Sequence, residues 1–131
     1  MANQIPIVNY LTLDGEPRLT AHRCTECGAL HLDRRNHCPG CGGEAFTSQD
    51  LATEGTVRSW TITHRAGRGI AVPFVSVLVD LDGGGVVKAN LLGVDPEPDN
   101  VRAGMRVRLD TFVAATDEVG TEAVAFGFAP V

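Results

Sequence analysis

Beyond residue 55 the hydrophobic positions recur with a period of two, the spacing at which successive strand side chains point to opposite faces. Thr56 to Thr63 (TVRSWTIT) is rich in β-branched residues and holds the single tryptophan. Phe74 to Leu81 (FVSVLVDL) sets Val75, Val77, Val79 and Leu81 on one face. Gly83-Gly84-Gly85 supplies the backbone freedom of a hairpin turn, and Val86 to Leu92 (VVKANLL) returns as a third strand. Met105 to Val113 alternates with Val107, Leu109, Thr111 and Val113 inward, against Arg106, Arg108 and Asp110 outward. A fifth strand, Ala123 to Ala129, ranges Val124, Phe126 and Phe128 on one side.

Between the third and fourth strands, Asp95-Pro96-Glu97-Pro98-Asp99-Asn100 is too proline-rich for a strand. It predicts a single helical turn, because proline is tolerated where a helix begins. Five strands with a short helical insert after the third predict a five-stranded barrel of the OB type. A sandwich fragment is the alternative, for which five strands are few.

The first half of the chain has a different character. Asp14-Gly15-Glu16-Pro17 separates two short apolar stretches, Ile5 to Leu13 and Leu19 to His22, and predicts a strand or hairpin entry. Every cysteine and three of the four histidines fall between residues 18 and 49. The predicted organisation is an N-terminal segment over 1–17, a ribbon over 18–49 and a mainly β domain over 50–131, with 50–55 as a linker. As two separately folded units, they imply that Cys27→Ala unfolds the ribbon and leaves the barrel largely intact.

Cys24-Thr-Glu-Cys27-Gly28 and Cys38-Pro-Gly-Cys41-Gly42 are two C-x-x-C-G knuckles with ten residues between Cys27 and Cys38. Each tight turn presents two sulfurs to one tetrahedral ion at about 2.3 Å. Glycine after the second cysteine suits a left-handed backbone, and frees amides to point at sulfur. Four thiolates leave no open coordination position, so the expected ion is a structural Zn2+ held by Cys24, Cys27, Cys38 and Cys41. A ribbon this short buries too little apolar surface to fold without such a staple. His22, His31 and His37 lie nearby, as surface residues or neighbours of the ligands.

The composition, 44% hydrophobic with no long apolar run, is that of a globular protein rather than a membrane-spanning one. MANQIPIVNY carries no basic residue ahead of its apolar stretch, so a secretory signal is not expected and the cytoplasm is. That reducing compartment favours thiolates on a metal over two disulfides. A net charge of −5, with acids outnumbering bases from Asp50 onward, is the reverse of a polyanion binder.

Catalytic equipment is scarce. With all four cysteines on zinc, no thiol remains as nucleophile. His64 is the one histidine outside the ribbon, and a strand end is an ordinary surface place for it. Asp80 and Asp82 lack the spacing and terminal glutamate of a calcium loop. Gly67-Arg68-Gly69 does not open a helix after a strand, so it predicts a loop rather than a dinucleotide cradle. Arg65 and Arg68 stand together on that loop, and guanidinium suits phosphate.

The order of these features resembles the acyl-CoA-associated zinc-ribbon/OB-fold proteins (domain of unknown function 35 type). The resemblance rests on R-C-x-x-C-G, C-P-x-C-G and then G-T-V-x-S-W-T from Gly55 to Thr61. Further carriers are Leu81-Asp82-Gly83, Ala89-Asn90-Leu91-Leu92-Gly93 and Ala103-Gly104-Met105-Arg106-Val107. It implies a rubredoxin-like ribbon followed by an OB barrel. It also implies a non-catalytic accessory subunit, in a hetero-oligomer with a thiolase-fold enzyme (thiolase or aldolase) acting on acyl-CoA thioesters. The partner would carry the nucleophile and the acid–base groups, and the small subunit would stabilise it and help form the acyl-CoA site. Arg65 and Arg68 are then candidates for the coenzyme A phosphates, and Arg34, Arg35 and Phe46 for partner contact. The family's aromatic-rich helical segment ahead of the ribbon has no counterpart here, where only Tyr10 is aromatic. Two alternatives stand beside this reading. A single-stranded nucleic-acid binder would stack bases on aromatics, which form 5% of this acidic chain. A free-standing acyl-CoA-binding protein is the other.

Overall fold

The computed structural model describes residues 3–131, which form ten strands in two sheets. The larger sheet runs in the order β1 (Gln4–Pro6), β10 (Glu122–Pro130), β9 (Arg106–Thr116), β6 (Glu54–Thr63), β7 (Phe74–Leu81), β8 (Val86–Asn90). A parallel bridge between Leu91 and Phe128, with Leu92 N–H donating to the Phe128 carbonyl at 2.7 Å, joins the end of β8 to β10. The five strands β6 to β10 thus close on themselves as an OB barrel, and β1 lies outside, parallel to β10. Closure depends on Gly127. A Cβ there would sit 2.7 Å from the Leu92 side chain and 2.8 Å from the Asn90 carbonyl oxygen, closer than real contacts allow.

The period-two reading holds for most of the barrel. In β7 every second side chain, Val75, Val77, Val79 and Leu81, is buried. Val107 and Phe128 have no exposed surface at all. The proline-rich insert makes one 3-10 turn at Pro98–Asn100. Val113 is the exception: predicted inward, it is 45% exposed. Ala123 pairs with Ala115 but Val124 with Val113, so the register slips by one residue. The β9–β10 hairpin from Phe112 to Val119, which spans that bulge, is exposed on both faces.

The smaller sheet is the ribbon. Its β2 (Leu11–Thr12) and β3 (Arg18–Cys24) form the hairpin expected at Asp14-Gly15, pairing Leu11 with Leu19. Strand β3 also pairs with β4 (Leu30–His31) and β5 (Phe46–Asp50). The N-terminal stretch is therefore shared, β1 going to the barrel and β2 to the ribbon. The predicted linker shrinks to residues 51–53, because β5 runs through Asp50 and β6 begins at Glu54.

Ribbon and barrel are not independent in packing. Leu11, Leu19, Ala21 and Leu51 belong to the same buried cluster as Val57, Val75, Val79 and Phe128. Tyr10 meets Phe126 edge to face, with ring centroids 5.9 Å apart. The triple-glycine turn of β7–β8 is the other seam. Leu51 lies against Gly85 and Leu30 against Gly84, and a Cβ at either glycine would come within 3.3 Å of those leucines.

Candidate metal centre

Two similar turns build the site, one after β3 and one after the ribbon's central loop. Gly28 N–H donates to the Cys24 carbonyl at 2.9 Å, and Gly42 N–H to the Cys38 carbonyl at 2.7 Å. Both glycines are left-handed (φ 78° and 79°), which is why glycine follows each C-x-x-C. A second bond closes each turn: Cys24 N–H to the Ala29 carbonyl at 2.9 Å, Cys38 N–H to the Gly43 carbonyl at 2.8 Å.

The turns bring four sulfurs within 4.8 Å of one another. Cys24 and Cys41 sulfurs are 3.5 Å apart, and those of Cys27 and Cys38 3.6 Å. Four sulfurs about 2.3 Å from one tetrahedral ion would lie about 3.8 Å from each other. The donor set therefore fits a single zinc, with Cys24 and Cys38 buried beneath it and Cys27 and Cys41 at the surface. The electrostatics agree. Backbone amides of Cys27 and Glu26 pull the Cys24 thiol down to about 7. The Gly43 amide acts the same way on Cys41, but sharing with the Cys24 and Cys27 sulfurs pushes that thiol up to about 12. Cys27 is likewise raised: the Ala29 amide favours its thiolate, and the Cys38 sulfur opposes it. Four thiolates at this distance repel one another, and a divalent cation removes the conflict. Such an ion would hold the two turns together and would leave no position free for a substrate.

Two other side chains touch the cluster. His31 Nε2 lies 3.6 Å from Cys38 Sγ, and Glu26 Oε2 lies 3.9 Å from Cys41 Sγ. His37 instead faces Glu44 at 3.5 Å on the surface.

Arg34, Arg35 and Phe46 are brought together. With His22, Asn36 and Glu44 they line an open notch of about 290 Å³ on the ribbon. Arg65 and Arg68 lie apart from it, exposed on the β6–β7 loop, and form no ion pair among the described residues. His64 is exposed just past β6. Asp80 and Asp82 are engaged in forked ion pairs. Arg58 donates to Asp80 at 2.6 and 3.0 Å, and Arg106 to Asp82 at 2.7 and 2.9 Å.

Together these features define a β protein made of a four-cysteine, rubredoxin-like ribbon joined to a small closed barrel. Residues 14–47 match the profile of the ChsH2 rubredoxin-like zinc ribbon domain, and residues 48–112 that of the ChsH2 C-terminal OB-fold domain. A DUF35 domain-containing scaffold protein of Pyrococcus furiosus is 32% identical over 117 residues, covering 87% of this chain and 84% of that one. The chain belongs to this DUF35 family. Benzoylsuccinyl-CoA thiolase subunit BbsA of Geobacter metallireducens is 33% identical over 95 residues, 72% of this chain and 62% of the subunit. Among solved structures, a chain of the Ltp2-ChsH2(DUF35) aldolase superposes with a TM-score of 0.65 at 31% identity. That match covers 86% of this chain and 84% of the solved one.

Proposed function

We propose that this chain is a zinc-holding, non-catalytic accessory subunit of a thiolase-fold enzyme, thiolase or aldolase, acting on acyl-CoA thioesters. The observation that carries the reading is the likeness, over most of both chains, to a component of an aldolase assembly. The name of the Geobacter relative, a subunit of a thiolase, points the same way. In this reading Cys24, Cys27, Cys38 and Cys41 hold one structural zinc, and the chain divides into an N-terminal segment (1–17), a ribbon (18–49) and an OB domain (50–131). The partner performs the carbon–carbon chemistry next to the thioester. The role of this chain is to stabilise that partner and help shape the acyl-CoA site.

The notch of Arg34, Arg35 and Phe46 is the proposed partner contact, an aromatic floor flanked by two guanidinium groups without carboxylate partners among the described residues. Arginine and aromatic side chains are the usual anchors of a protein interface. Arg65 and Arg68 are the proposed contacts for coenzyme A phosphates, which guanidinium binds through paired N–H donors. The test is mild affinity capture of the tagged protein from its own cell, with mass spectrometry of what co-elutes. A thiolase-fold protein in stoichiometric amount is the expected result, and a zinc-loaded chain eluting alone would contradict the proposal. Arg34→Glu with Arg35→Glu is expected to lose the partner while keeping zinc.

A further inference from the structure

The geometry points to His31 as a positioning residue of the metal centre, donating its Nε2–H to the Cys38 thiolate without being a ligand itself. Its Nε2 is 3.6 Å from Cys38 Sγ, within range of an N–H···S bond. Among the described residues, the group of ligand atoms mutually within 4.8 Å is the four cysteine sulfurs, so His31 reaches one sulfur from outside the set. Among the described residues it is the one side-chain N–H donor hydrogen-bonded to a cysteine sulfur.

The fold holds the ring in place from two sides. His31 closes the two-residue strand β4, paired across from His22 on β3, so its backbone is fixed by the same sheet that carries Cys24. The imidazole stands edge-on to Phe46, with centroids 6.2 Å apart and planes at 73°. The half-buried ring is thus held with Nε2 towards the Cys38 sulfur.

The chemistry gives the contact a purpose. A zinc with four thiolates carries a net double negative charge, and donors around the sulfurs disperse it. Glu26 places a carboxylate near Cys41, adding negative charge on the exposed side. The His31 donor offsets this on the Cys38 side. It lowers the tendency of that thiolate to leave the metal or to react with an electrophile.

The experiment uses the full zinc-loaded protein in three forms: wild type, His31→Phe and His31→Gln. His31→Phe keeps an aromatic ring against Phe46 and removes the donor; His31→Gln keeps a donor. Zinc transfer to a chromogenic chelator and iodoacetamide labelling of each cysteine are followed over time. His31→Phe is expected to speed zinc loss roughly 10–100-fold and to make Cys38 react sooner, with His31→Gln restoring much of the protection. Wild-type release rates in His31→Phe would overturn the assignment. So would a cobalt-substituted His31→Phe whose absorption spectrum shows a changed ligand set, because His31 would then be a ligand. Should His31→Phe fail to fold, the cadmium-113 form of the wild type decides. A scalar coupling from cadmium through sulfur to the His31 Nε2–H supports the bond, and its absence contradicts it.

Discussion

At the scale of single residues, the barrel is held to tight tolerances where strands cross. Gly127 is the clearest case, since any side chain there meets Leu92 and the Asn90 carbonyl at the bridge between β8 and β10. Gly127→Ala is expected to cost about 1–3 kcal/mol of stability, read as a lower urea midpoint with an unchanged slope. The ion pairs outside the barrel matter differently. Hydrogen bonds from Arg106 hold the Asp82 carboxyl below the usual aspartate range. A depressed carboxylate contributes stability that is present above its unfolded value of about 3.9 and is lost as pH falls through the folded value. Both side chains are about half exposed, so the effect is small. Asp82→Asn should flatten the acid limb of a Tm–pH curve below about pH 4, and an unaltered curve would count against the pair. The cysteine spacing made the four-sulfur cluster legible in the sequence, because two similar knuckles encode two similar turns. His31 was not separable from His22 and His37 by spacing alone. Its contact with Cys38 follows from the cross-strand register of β3 and β4, which no local pattern states.

At the scale of elements, alternation revealed β7 in full and the cores of β6, β8, β9 and β10, since each buries one face against a continuous interior. Two features escaped it for physical reasons. Strand β1, Gln-Ile-Pro, is too short for a period and has no buried residue, and its partner Glu122 is a long-range neighbour that only the closed barrel brings near. Strand β9 runs on past the core from Phe112 towards the hairpin end, so Val113 is exposed although it shares the uninterrupted register of Val107. Strand β1 covers the outer edge of β10, with Ile7 N–H donating to the Val124 carbonyl at 2.8 Å. An uncovered edge is a template for pairing with other chains. Removing residues 1–7 should therefore leave the zinc content unchanged and promote self-association, seen by light scattering as a rise in average mass. A monodisperse truncated protein would show that β1 does not protect that edge.

At the scale of the whole molecule, ribbon and barrel share one buried cluster through Leu11, Leu19, Ala21 and Leu51. The two-unit expectation from sequence therefore changes. Cys27→Ala, or chelation of the metal, should unravel the ribbon and also lower the melting temperature of the barrel by several degrees. Near-ultraviolet circular dichroism of Trp60, which sits on β6, reports the barrel separately; an unshifted Trp60 transition would restore the picture of independent units. A coupled core suits a subunit whose ribbon and barrel meet a partner as one rigid surface. In the proposed accessory role, that surface would help fix the shape of an assembly whose reacting groups lie on the partner.

The most direct measurement of that role is native mass spectrometry of the complex isolated gently from its own cell. The expected result is one assembly containing a thiolase-fold subunit, with each copy of this chain heavier by a single zinc ion. A chain found by itself with its zinc in place would contradict the accessory role and leave only the metal centre standing.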